Sequence, residues 1–207
     1  MRRRLSRRAG AMVLVLGAMH GSLLVIAAWA SVEDVGAIRG AQVLLGPLIL
    51  LGRSAFEFLL PELGRRPQLA ARDRLRLSYV ASGSLLFVGL TWSGVLLALP
   101  EGIGRELMGE TWPTTKALLP ASALWICGTL VSTGPAAVLR ALGRAQVGFQ
   151  INALTTALLV VFSFVGFHLD GARGALVGFA LAHWVVVPLW WREVHAAVAE
   201  AAGAEKK

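Results

Sequence analysis

Charge is scarce in this chain and unevenly spread. Only 15% of the residues are Asp, Glu, Lys or Arg, while 56% are hydrophobic. A soluble domain of 207 residues could not hide so much apolar surface. Cysteine is nearly absent: Cys127 is the single one, so no internal disulfide can form. It falls within an apolar run, where a small buried side chain is expected. Metal-ligand clusters are missing too. His20 and His183 lie in apolar runs with no second His, Cys or carboxylate at ligand spacing, so no metal is expected. Nucleophile-elbow, phosphate-loop, zinc and dinucleotide motifs do not occur, and nothing supports covalent or acid–base chemistry. Neither an enzyme nor a cofactor is expected. Linkers and low-complexity stretches are lacking as well, which reads as one domain over 1–207.

What the chain does have is a series of long apolar stretches. A helix of about 20 residues crosses the roughly 30 Å hydrocarbon core of a bilayer. Spans of that size are expected at about Ala11–Ala30, Val35–Leu60, Leu77–Leu99, Leu118–Leu139, Val147–Phe167 and Gly174–Trp191. The fold class is therefore all-α, an integral membrane bundle of six helices. The arginines fall in every second connection. Arg2, Arg3, Arg4, Arg7 and Arg8 precede the first span, and Arg65, Arg66, Arg72, Arg74 and Arg76 fill the second loop. Arg140 and Arg144 sit in the fourth, and Arg192, Lys206 and Lys207 in the tail. Loops rich in Lys and Arg stay in the cytoplasm. This predicts a multi-pass cell-membrane protein with both termini cytoplasmic. The net charge of +8 thus follows membrane edges, where anionic lipid also favours it, and does not point to nucleic acid.

Several smaller expectations follow. Trp29 and Trp112 near outer ends, and Tyr79 with Trp190 and Trp191 near inner ends, suit interfacial belts. The arginine-led N-terminus also resembles a signal peptide. Its apolar run is longer than the usual roughly 7–15 residues, and an uncleaved first helix is the reading taken. Ile103–Met108 is expected as a short interfacial helix. The tail from Glu193 is expected to prolong the last helix before fraying.

Polar residues inside the spans are the candidate functional groups. Arg39, Gln42, Gly46, Arg53 and Glu57 fall within about 60° of one another on a helical projection of the second span. Charge at membrane depth is costly and normally faces a bundle interior or a water-filled cavity. Arg53 and Glu57, four residues apart, can also pair and simply pin packing, with Arg39 reaching to the surface. In the fifth span Gly148, Asn152, Thr155, Thr156 and Ser163 share a face, as Ser122, Thr129 and Thr133 do in the fourth. Such residues commonly join membrane helices. Gly46-Pro47 and Gly134-Pro135 predict kinks. The cavity candidates are Arg39, Gln42, Arg53, Glu57 and Asn152.

A run of motifs resembles the polysaccharide (Wzx-type) flippases of the multidrug/oligosaccharidyl-lipid/polysaccharide exporter superfamily. Leu107-Met108-Gly109-Glu110-Thr111-Trp112 followed by Ala117-Leu118-Leu119-Pro120 is similar to the segment between the third and fourth helices of a lobe. Leu139-Arg140-Ala141-Leu142-Gly143-Arg144 resembles the cytoplasmic turn after the fourth, and Gly171-Ala172-Arg173-Gly174-Ala175 the turn opening the sixth. Val35 to Gln42, Leu45-Gly46-Pro47-Leu48 and Leu60-Pro61-Glu62-Leu63 extend the likeness over about residues 10–192.

The resemblance implies one C-terminal-type lobe of a two-lobe transporter. Its substrate would be a polyprenyl-diphosphate-linked sugar, moved between membrane leaflets by alternating access. The second six-helix lobe would then come from an identical copy or a separately encoded half, unless the chain is a fragment. The matched motifs are turns and kinks and carry no substrate residues over. The alternative is a non-transporting accessory multi-pass protein, which predicts that the polar stripe is sealed inside the bundle.

Overall fold

The computed structural model describes residues 32–66 and 69–204. Within them the fold is helical: α1 Val32–Arg65, α2 Ala71–Leu97, α3 Glu101–Met108, α4 Trp112–Val131, α5 Thr133–Ala141 and α6 Ala145–Ala204, with a 3-10 turn at Gly109–Thr111 before α4. Four helical stretches, Asp34–Arg65, Ala71–Leu97, Glu101–Ala141 and Ala145–Gly203, are long and apolar enough to cross a membrane. The expected span Ala11–Ala30 and the signal-peptide alternative lie outside the described residues.

The expected fifth and sixth spans are the two arms of α6, joined at a reversal with no loop between them, and the described residues form four long apolar helical stretches where six spans were expected. In α6 only Asp170 (φ −149°, ψ 37°) and Gly171 (φ 53°, ψ −140°) leave helical geometry. A two-residue reversal leaves no loop. Gly171 makes it possible, because that backbone conformation is open essentially to glycine alone. The arms fold back in close contact: Gly166 lies against the Gly174 backbone, and Gly178 against the backbone of Phe162. Glycines let two membrane helices approach this closely.

The helices also run past the expected span ends. Hydropathy marks the thickness of hydrocarbon, whereas a helix continues as long as its backbone hydrogen bonds do. α6 reaches Ala204, well beyond Trp191. There Val194, Ala197 and Val198 are buried, with Leu69, Ala71 and Leu75 packed against the same cluster. The expected Leu118–Leu139 span begins earlier, at Trp112, and is interrupted at Ser132 between α4 and α5. Pro135 has no N–H, and its ring would clash with the carbonyl one turn back. The Gly134 N–H instead donates to Ser82 Oγ on α2, at 3.1 Å. Pro47 leaves α1 unbroken, and the Trp92 indole N–H donates to the nearby Leu44 carbonyl at 2.9 Å.

The helix α4 is central, with α1, α2 and α6 all packed on it. The outer faces carry Val43, Leu50, Phe58, Phe87, Leu90, Val161 and Phe164, all exposed. Apolar residues facing outward on this scale suit lipid rather than water. Two expected interfacial tryptophans are core residues instead. Trp112 is fully buried with its ring against Gly104 of α3, and Trp190 sits in the core of the arginine-rich end. Hydropathy places an aromatic along the helix axis but not around it. Tyr79 is exposed, stacks on Trp191 with ring centres 4.4 Å apart, and hydrogen-bonds His195 at 2.9 Å.

Candidate functional site

The buried face of α1 is built from Ala37, Ile38, Ala41, Leu45, Leu48 and Leu63. By helical projection Arg39 and Glu57 point almost directly away from that face. Gln42 and Arg53 lie between the two directions. The stripe is therefore real along the sequence but turned outward. The side chains of Arg53 and Glu57 are 78% and 65% exposed, and Arg53 Nε donates to Glu57 Oε1 at 3.1 Å.

Beside this stripe runs a groove of about 690 Å³. α1 forms one wall with Gln42, Arg53 and Phe56, and α6 forms the other with Asn152, His183 and Trp190. Thr129, Ser132 and Thr133, around the break between α4 and α5, line the groove between these walls. α1 and α6 are joined mainly through α4 and α5 rather than to each other, which leaves the groove between them. Of the five candidates, Gln42, Arg53 and Asn152 come together here; Arg39 and Glu57 do not line it.

Most polar groups on the groove wall are already satisfied locally. Thr129 donates to the Trp125 carbonyl at 3.3 Å, Ser132 to Gly128 at 3.1 Å and Thr133 to Thr129 at 3.4 Å. Across the groove Thr155 donates to Ile151 at 2.8 Å and Thr156 to Asn152 at 2.9 Å. This back-bonding leaves each hydroxyl oxygen able to accept while removing its donor from play. His183 Nδ1 is likewise engaged with the Phe179 carbonyl at 2.9 Å. The Gln42 and Asn152 amides make no side-chain hydrogen bond among the described residues, so their donors stay free. The surface suits an amphiphile: an aromatic and aliphatic lining with a few donors and one guanidinium.

The sequence pointed to Thr129, Thr133, Thr155 and Thr156 as helix-packing faces. It missed that the two faces meet across one groove, and it missed the aromatics Trp125, Phe179 and Trp190. Period 3.6 shows that a face is polar; it does not show which other face it meets. No protein-family model matches the chain, and neither a curated protein nor a solved structure matches it.

Proposed function

We propose that this chain is one six-helix lobe of a membrane transporter that moves a lipid-linked oligosaccharide or polysaccharide precursor between leaflets by alternating access. The first of the six helices would be Ala11–Ala30, and the arginine-rich end with both termini would face the cytoplasm. A second lobe, from an identical copy or a separate half, would complete the cavity.

The observation that carries this reading is the groove beside an outward-turned ionic stripe. A charged stripe left facing hydrocarbon would cost at least a few kcal/mol, so a partner surface or a wet cavity should cover it. The accessory-protein reading expects the stripe inside the bundle, and the exposure of Arg53 and Glu57 speaks against it. Arginine suits the anion of such a substrate, because it is permanently charged and binds phosphate oxygens in pairs.

The test is a comparison of export and membrane abundance. If Arg53 contacts substrate, Arg53→Ala abolishes export of lipid-linked sugar at normal abundance, and Glu57→Ala is milder. If the pair only holds the fold, either substitution lowers abundance alike, because the remaining charge is stranded. Normal export and abundance in the Arg39→Ala/Arg53→Ala double variant would remove these arginines from the mechanism.

A further inference from the structure

Arg140 is not a lining residue of the groove but stands beside two that are, Ala136 and Phe56, toward the arginine-rich end. It lies one turn beyond Ala136 on the same face of α5, and Ala136 lines the groove. Its guanidinium carbon is 5.9 Å from the centre of the Phe56 ring, which belongs to the α1 wall. Arg53 is one turn from Phe56 on that wall, so the two arginines flank the same aromatic.

Their electrostatic surroundings differ. Arg53 is paired with Glu57 at 3.1 Å. Three neighbouring cations at this end are also matched, Arg66 with Glu62, Arg144 with Glu200 and Arg192 with Glu193, while Arg65, Arg72 and Arg76 form no ion pair among the described residues. Arg140 has no ion-pair partner among the described residues. Of the two arginines that flank Phe56, Arg53 is ion-paired and Arg140 is not, among the described residues. A guanidinium over an aromatic face is steadied by the ring quadrupole while its N–H edges stay free. Those edges match two oxygens of one phosphate. Phe56 is itself part of the aromatic and aliphatic lining that a lipid chain would occupy.

We propose that Arg140, steadied on Phe56, is a binding subsite for the phosphate-bearing head of the groove's amphiphile, separate from Arg53. This rests on the transport reading above and assigns a headgroup contact to a residue outside the intramembrane stripe.

The test uses the full chain in phosphatidylcholine nanodiscs, with radiolabelled undecaprenyl diphosphate as the probe. Binding is compared for wild type, Arg140→Gln, Arg140→Lys and Arg76→Gln, the last being an exposed cation of the same end on α2 with no ring contact to the groove's lining among the described residues. Arg140→Gln should weaken binding about tenfold, with Lys intermediate and Arg76→Gln within about twofold. Equal binding by Arg140→Gln and Arg76→Gln, with wild type binding well, would overturn the subsite and leave the transport reading standing. Absence of wild-type binding would remove both. Phosphatidylglycerol or inorganic diphosphate bound with the same Arg140 dependence would reassign the site to bulk lipid or to a free anion, and so overturn it.

Discussion

Gly178→Ala and Gly94→Ala are the same chemical change with opposite expected signs. A Cβ on Gly178 would overlap the backbone carbonyl of Phe162 and come within 2.7 Å of the Ser163 nitrogen. Backbone atoms cannot swing aside, so the two arms of α6 must separate by roughly 1 Å to restore contact distance, and a gap of that size forfeits about a quarter to a half of each affected dispersion contact. Overpacking of this kind costs about 1–3 kcal/mol. Helix propensity returns about 1 kcal/mol for replacing glycine by alanine. The net loss is up to about 2 kcal/mol, and relative to Gly94→Ala, which keeps the propensity gain without the clash, Gly178→Ala is worse by about 1–3 kcal/mol. For a chain of this size, at about 2–4 °C per kcal/mol, that puts the melting midpoint up to about 8 °C below wild type and about 2–12 °C below Gly94→Ala. A Cβ on Gly94, exposed on α2, meets nothing within 4 Å. Only the propensity term remains, so Gly94→Ala should melt at or slightly above wild type. Melting of the purified protein in one detergent, followed by intrinsic tryptophan fluorescence, reads both. A Gly178→Ala variant as stable as Gly94→Ala would refute the close crossing of the arms, and with it the hairpin.

Gly171→Ala tests the reversal itself: with no neighbour within 4 Å its cost is backbone strain alone, about 1–3 kcal/mol, and a melt unchanged from wild type would exclude the observed φ of 53°. Topology is tested by single cysteines in a Cys127→Ala background. One at Glu110 should react with an impermeant reagent from outside intact cells and one at Arg72 should not; outside labelling at Arg72 would sink the orientation. Assembly is tested by crosslinking in native membranes, where a species above monomer is expected. A strictly monomeric chain that still supports export would count against a second lobe.

Legibility differed from element to element. The apolar runs behind α1, α2 and the α4–α5 stretch could be read directly, because burying or lipid-solvating about 20 consecutive residues leaves few alternatives to a helix. Their ends could not, since Arg65 and the residues after Trp191 stay helical for reasons that hydropathy does not measure. The kink near Gly134-Pro135 was visible; that Ser82 on another helix would take up the Gly134 N–H was not. Among the site residues, Gln42, Arg53 and Asn152 were chosen for their polarity at membrane depth and do share the groove. Arg39 and Glu57 were chosen on the same grounds, but the angular spread of the stripe carries them past its edge.

The sequence by itself determined that this is a helical protein with membrane-length apolar stretches, that its cations gather at alternate connections, and that α1 bears one polar stripe. These are properties of single segments, set by backbone hydrogen bonding and by periodicity. Only the tertiary structure decided which way the stripe faces and that the polar faces of α4 and the first arm of α6 meet across a groove. It also decided that Arg140 and Phe56, 84 positions apart by number, come to stand together where Phe56 lines the groove. Rotation of a helix about its axis depends on which small residues let it approach a neighbour, here Gly40 against Thr115, Gly52 against Leu130 and Gly134 against Ser78. That information belongs to pairs of helices, and no single stretch of sequence contains it.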